Sequence, residues 1–288
     1  MKFVKYFFQS LIILILFLVF KVIGYKNASN LGSNIGKTFG KFIRSDNIIK
    51  KNISIISENT KINIKNYNEI VKDVFSNYGR ILSEYVYLKN FRNGDLNKFV
   101  NIIGREYLDE IRTQNKKVVF VSGHFSNFEL MAMFIDSAEI NLATIYRPLN
   151  NIFLNRIMEN LRTKYICKNQ IKKGTKGTRE LINFLKKNFS IALMIDQRVT
   201  EGIKCDLFGK QAFTTTIPAQ IVKKFDYEIV PVHIERINKI KFNLTIEKPI
   251  KFGRDQTTEQ ITLKLNKILE KMIIRTPSQW ILTHNRWK

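Results

Sequence analysis

The chain opens on an apolar block and then changes texture twice. Residues 6–20 hold the unbroken run Leu11-Ile-Ile-Leu-Ile-Leu-Phe-Leu-Val-Phe20, with Lys2 and Lys5 before it and Lys21 after it. As a helix that block reaches roughly 22 Å at about 1.5 Å per residue, short of a hydrocarbon core of about 30 Å. Extension through residues 22–24, with Lys21 snorkelling, would close the gap. A membrane anchor over residues 1–24 is the first expectation. A cleaved secretory signal is its rival, although Lys21 ends the run and no clean A-x-A site follows.

Residues 25–110 then read as a helical region. Leu31, Ile35, Phe39 and Phe42 recur at helical spacing over residues 31–44. Over residues 71–87, Val74, Phe75, Tyr78, Ile81, Leu82 and Tyr85 fall on one side of a second helix.

From about residue 111 to the end, short apolar runs alternate with helical ones. Strands are expected at 118–121, 141–146, 191–195 and 229–234, with a further one in the isoleucine-rich stretch 239–250. Helices are expected over 125–135, 154–161, 177–187, 218–224 and 258–274, and the Gly/Lys-rich stretch 172–177 reads as a loop. Strand–helix alternation of this kind predicts an α/β domain with a mostly parallel central sheet flanked by helices. The predicted organisation is therefore anchor (1–24), helical N-terminal region (25–110) and α/β core (111–288).

Charge changes the picture by naming a kind of partner. Lys and Arg number 48 against 24 acidic residues, a formal charge of +24. An anionic partner follows: nucleic acid, acidic head groups or an acidic carrier protein. The basic residues are dispersed and no recognised nucleic-acid motif accompanies them, so nucleic acid ranks last. Two cysteines, Cys167 and Cys205, make no disulfide framework, and three scattered histidines imply no metal.

Of those histidines, His124 stands where the first core strand gives way to a helix, in Ser122-Gly-His-Phe-Ser-Asn-Phe-Glu129. The carboxyl ends of strands in open α/β sheets are where ligands bind, and Gly123 permits a tight turn. A carboxylate on one imidazole nitrogen fixes the tautomer and leaves the other nitrogen as a base, a role Glu129 could fill. Ser126 and Glu129 equally form an S-x-x-E capping box, which would leave Glu129 satisfying backbone donors. His233 lies mid-strand and reads as a packed residue. His284, Arg286 and Lys288 suit either phosphate contact or a solvated end.

His124-Phe-Ser-Asn-Phe-Glu129 resembles the H-x4-(D/E) motif of the lysophospholipid acyltransferase superfamily, and more narrowly that of the bacterial lipid A biosynthesis (lauroyl/myristoyl) acyltransferases. Further blocks resemble that family in order: Ile145-Tyr-Arg-Pro148 with Asn150-Asn151; residues 196–202 with Leu207-Phe-Gly209 and 214–216; Ile229-Val-Pro-Val232; and Pro277-Ser-Gln-Trp280 with His284-Asn-Arg-Trp287. Arg198 and Cys205-Asp206-Leu207 depart from the usual third block.

The resemblance implies that His124 is the catalytic base and Glu129 its orienting acid, with no enzyme serine needed. Arg147 would meet an anionic head group, and Asp196 and Gln197 would line the acceptor site. It implies no cofactor, an acyl carrier protein as donor, and a membrane glycolipid acceptor of the lipid A precursor type. The location implied is the bacterial inner membrane, with the catalytic domain on its cytoplasmic face. A lysophospholipid or another polar lipid as acceptor, and a non-catalytic membrane-tethered basic binding protein, are the alternatives.

Overall fold

The structure, a computed structural model, describes residues 2–60 and 66–288. Four helices come first: α1 (Lys2–Ile23), α2 (Tyr25–Ile43), α3 (Asn47–Glu58) and α4 (Tyr67–Glu84). A short α5 (Leu88–Arg92), strand β1 (Val100–Ile103) and α6 (Arg105–Thr113) lead into the core. There β2 (Val118–Ser122), α7 (Glu129–Ser137), β3 (Leu142–Tyr146), α8 (Ile152–Tyr165), β4 (Asn169–Lys172), α9 (Thr175–Lys186) and β5 (Ser190–Met194) alternate. A hairpin of β6 (Ile203–Leu207) and β7 (Lys210–Thr214) follows, then α10 (Ile217–Phe225), β8 (Glu228–Ile237), β9 (Lys241–Ile246) and α11 (Thr258–Arg275).

Seven strands form one sheet in the order β1-β9-β8-β2-β5-β3-β4, as the mostly parallel expectation required. Every pairing in it is parallel except β8 with β9. All five residues of β2 are buried, as befits a central strand covered on both faces. The chain leaves β2 toward β3 on one side and returns through β5 to β8 on the other. The order thus reverses beside β2, the place where open α/β sheets form their clefts.

Three local readings differ from the sequence pattern. The helix expected from residue 125 begins only at Glu129, because Ser126 is held in the left-handed region (φ 43°) and Phe125 bridges to Trp280. The stretch 172–177 is the end of β4 and the start of α9 rather than a loop. The region read as helical also supplies β1, which joins the main sheet beside β9.

Helix α1 exposes most of its apolar side chains, including Phe3, Phe8, Ile12, Leu18 and Val22. A narrow stripe of it touches the body at both ends. Ser10 Oγ donates to Asn151 Oδ1 (3.1 Å), Asn151 Nδ2 donates to the Tyr6 carbonyl (3.0 Å), and Tyr87 OH donates to the Phe20 carbonyl (2.5 Å). Helices α2 and α4 approach until their backbones touch: a Cβ placed on Gly32 would stand 2.3 Å from the Gly79 carbonyl oxygen.

Candidate active site

Strand pairing decides what His124 meets. In the parallel β2/β5 pair, Ser122 is aligned with Met194. Two residues further along each strand stand His124 and Asp196, side by side where both strands end. The Asp196 carboxylate takes two bonds from the same residue: His124 N donates to Oδ2 at 2.7 Å, and His124 Nδ1 lies 2.8 Å from Oδ1. Trp280 Nε1 donates to Oδ2 at 2.9 Å.

Asp196 is fully buried. Burial by itself raises a carboxyl pKa, but the His124 charge and the bonds from His124 and Trp280 outweigh it, and Asp196 titrates below its usual range. A carboxylate only accepts, so Nδ1 carries the imidazole proton. Nε2 is left unprotonated, and among the described residues it has no hydrogen-bond partner. The ring is one-fifth exposed and lies edge-on to Phe128 at 4.8 Å. A tautomer fixed by a buried acid, with the other nitrogen free on a partly exposed ring, is the arrangement of a general base.

Glu129 does something else. It begins α7, past the non-helical turn 124–128, and is buried facing α8. Its Oε1 accepts from Arg162 Nε (2.9 Å) and from the Tyr85 hydroxyl, and Arg162 Nη2 also donates to the Tyr85 oxygen at 3.2 Å. Burial and the neighbouring Glu129 charge push the Tyr85 hydroxyl well above its ordinary pKa; burial alone would lower that of Arg162, but the Glu129 charge raises it. Among the described residues Glu129 makes no hydrogen bond or ion pair with His124, so the expected His124–Glu129 pairing gives way to His124–Asp196. The capping box is not formed either, since Ser126 Oγ is buried without a hydrogen-bond partner among the described residues and Phe128 holds the cap position.

The turn that carries His124 is fastened from both sides. Ser126 N donates to the Gln279 carbonyl (2.9 Å), and Asn127 Nδ2 donates to Glu84 Oε2 (3.0 Å). Glu84 in turn accepts a two-pronged contact from Arg236, at 2.5 and 2.9 Å, and a bond from Ser29. Glu84 and Arg236 lie 84 and 236 residues into a chain with many such charges, and nothing local marks them. Only the packing of α4 against the turn reveals them.

Arg147 lies just past β3 and lines a cavity of about 570 Å³ together with Arg44, Lys173, Arg198, Lys288 and the lone acid Glu201. His124 is not part of its wall. The wall does hold Arg198, two residues past Asp196, and His284, whose Nε2 accepts from Arg198 N at 2.9 Å. Burial pushes the His284 pKa down, and the charges of Asp196 and His124 act on it as well. Gln197 is half-buried and makes no side-chain hydrogen bond among the described residues.

The C-terminal ending is packed rather than solvated. Arg286 is fully buried, with Nη1 donating to the Phe213 carbonyl (2.6 Å) and Nη2 to Thr214 Oγ1 (2.7 Å), and its burial lowers its pKa to about 10. Trp280 and Trp287 stack edge-on at 6.2 Å beneath Asp196 and the β6/β7 hairpin. His233 is buried in β8, as its mid-strand position suggested.

The chain is similar to several known proteins. The chain is 24% identical over 264 residues to the lipid A biosynthesis palmitoleoyltransferase of Escherichia coli K12, spanning 90% of this chain and 84% of that protein. It is 24% identical over 269 residues to the lipid A biosynthesis lauroyltransferase of the same organism, with the same coverage. Among solved structures, the 1-acyl-sn-glycerophosphate acyltransferase of Thermotoga maritima superposes with a TM-score of 0.40 at 12% identity, covering 89% of this chain and 99% of that one. The profile of the bacterial lipid A biosynthesis acyltransferases matches residues 1–288 from end to end, and the chain belongs to that family.

Proposed function

We propose that the protein transfers a fatty acyl chain from acyl carrier protein to a hydroxyl of an anionic membrane glycolipid, of the lipid A precursor type. His124 Nε2 removes the proton from the acceptor hydroxyl, whose oxygen attacks the thioester carbonyl of the donor. The carbon–sulfur bond then breaks, and the departing thiolate takes the proton back from Nε2. The products are an ester and a free carrier thiol, so no cofactor is consumed. Asp196 is the positioning residue: it keeps the proton on Nδ1 and steadies the positive ring that forms during the transfer. Glu129 serves from a distance, fixing the start of α7 through Arg162 and Tyr85.

The observation that carries the proposal is the buried Asp196 carboxylate on His124 Nδ1, set beside a cationic cavity. Arg44, Arg147, Lys173, Arg198 and Lys288 suit a phosphorylated head group, with Arg offering its fork to phosphate oxygens. The net charge of +24 suits an acidic carrier as well. With a cytoplasmic carrier as donor, this reading puts the catalytic domain on the cytoplasmic face of the inner membrane.

Two measurements test this. His124→Ala protein, still membrane-attached, should form no acylated product from acyl-carrier thioester and lipid acceptor; wild-type turnover would remove His124 from the mechanism. Lipid mass spectrometry of cells lacking the chain should show lipid A short of one acyl group. An altered phospholipid profile with intact lipid A would move the acceptor to a lysophospholipid.

A further inference from the structure

Two pairs of exposed apolar side chains stand close in sequence to residues of the cationic cavity wall. Phe42 and Ile43, the last residues of α2, are 86% and 80% exposed, and the next residue, Arg44, lines the cavity. Arg147, also in the wall, leads into Leu149 and Ile152, which are 39% and 59% exposed. Phe42, Ile43 and Ile152 are more exposed than Ile103, Ile182, Leu263 and Ile274 elsewhere on the body, and large apolar groups this open beside a charged cavity mark an interaction surface.

The exposed face of α1 reaches the same place. Its first turns rest on the second of these lips: Phe3 and Phe7 pack edge-on against Phe153 at 5.0 and 5.9 Å, and Tyr6 and Ser10 bond Asn151. The first turns of α1 therefore rest on the start of α8, and the loop before it shares the cavity wall with Arg44 at the end of α2. Basic residues accompany both lips: Lys41 on α2 and Arg44 just past it, Arg147 and Lys173 beyond. Apolar groups that can enter hydrocarbon, backed by cations at head-group height, match an anionic bilayer surface.

We propose that the opening of the cationic cavity is itself seated in the membrane interface, with Phe42–Ile43 and Leu149–Ile152 entering the leaflet as two lips beside α1. Membrane contact is then not confined to an anchor that tethers a domain free in water. The lips hold the cavity at head-group level, where a lipid acceptor presents its polar end without leaving the bilayer.

The first test uses the full chain on phosphatidylglycerol-containing vesicles and requires no turnover, so it stands apart from the acyl-transfer reading. Single labels are introduced as Phe42→Cys, Ile152→Cys and, at the exposed turn before the amino-terminal end of β5, Lys187→Cys, whereas Arg147 and Lys173 follow the carboxyl ends of β3 and β4. The native Cys167 and Cys205 are buried and stay unlabelled. On vesicles, labels at 42 and 152 should be quenched by lipid-borne quenchers and shielded several-fold from an aqueous quencher, while the label at 187 stays open to water. If all three remain equally open to the aqueous quencher on vesicle-bound protein, the cavity faces bulk water and the proposal falls. Phe42→Glu with Ile43→Glu supplies a second reading: turnover of acceptor embedded in vesicles should drop several-fold while turnover of detergent-dispersed acceptor holds. Equal rates in both formats would likewise overturn the seated opening.

Discussion

Asp196 Oδ1 lies 2.8 Å from His124 Nδ1, and the same carboxylate also takes the backbone N–H of His124. One side chain thereby fixes both the tautomer of the ring and the turn that presents it. Asp196→Asn can still satisfy part of the turn, but it no longer holds a proton on Nδ1 or balances a charged ring. Turnover should fall by on the order of 10³-fold or more with little change in KM for the acceptor. Glu129→Gln should act differently, because it removes the counter-charge of buried Arg162. Its signature is a loss of about 3–5 kcal/mol of stability. A Glu129→Gln protein as stable as wild type but as inactive as Asp196→Asn would return the orienting role to Glu129.

How far the chain discloses this arrangement depends on the range of the interaction. The helices 154–161, 218–224 and 258–274 and the strands 118–121 and 229–234 were legible because each carries its own period and its own ends. His124 was legible as well, since the strand that delivers it ends visibly at Gly123. Its partner was not: Asp196 becomes adjacent only because β5 pairs directly with β2, while β3, which follows β2 in sequence, pairs one strand further out. Glu129, five residues away, offered a local partner that α7 turns toward Arg162 instead. The β6/β7 hairpin was missed for a related reason: its two-residue turn is Phe208-Gly209, with Phe208 in the left-handed region, not a typical polar turn pair.

His233 sets a pH limit on folding. It is buried in β8 against Phe125, its Nδ1 has no hydrogen-bond partner among the described residues, and burial, helped by Arg275 and opposed by Glu235, lowers its pKa to about 4. The unfolded chain binds a proton there near pH 6.5 and the folded chain does not, so stability falls as the pH drops from about 6.5 toward 4. Denaturant titrations across that window should show the slope flatten in His233→Gln. An unchanged slope would assign the acid sensitivity to other groups.

The Glu84–Arg236 contact predicts a stability loss that reaches the active site. Glu84 is wholly buried and serves Arg236, Ser29 and Asn127 together. Glu84→Gln leaves the Arg236 guanidinium buried without its counter-charge, at a cost of about 3–5 kcal/mol. It also loosens the Asn127 tether on the His124 turn. The midpoint of urea unfolding should fall, and turnover of the folded fraction should fall with it. Stability lost with full turnover retained would show that Gln279, Trp280 and Asp196 hold the turn unaided.

The seam between α2 and α4 gives the last expectation, and it depends on shape alone. Gly32, Gly36 and Gly79 let the two backbones touch: a Cβ on Gly36 would stand 2.0 Å from the Phe75 carbonyl oxygen, and one on Gly79 would stand 1.9 Å from that of Gly32. Neither carbonyl is a flexible side-chain end that could swing aside, so even alanine must push the helices apart. The seam sits directly behind Glu84 and Ser29, whose bond joins α4 to α2. Gly79→Ala should therefore cost about 1–3 kcal/mol, the usual range for overpacking. It should also stretch the Ser29–Glu84 contact, so its effect combined with Ser29→Ala should be less than the sum of the two. Strict additivity in unfolding measurements would mean that the helix seam and the buried carboxylate are held independently.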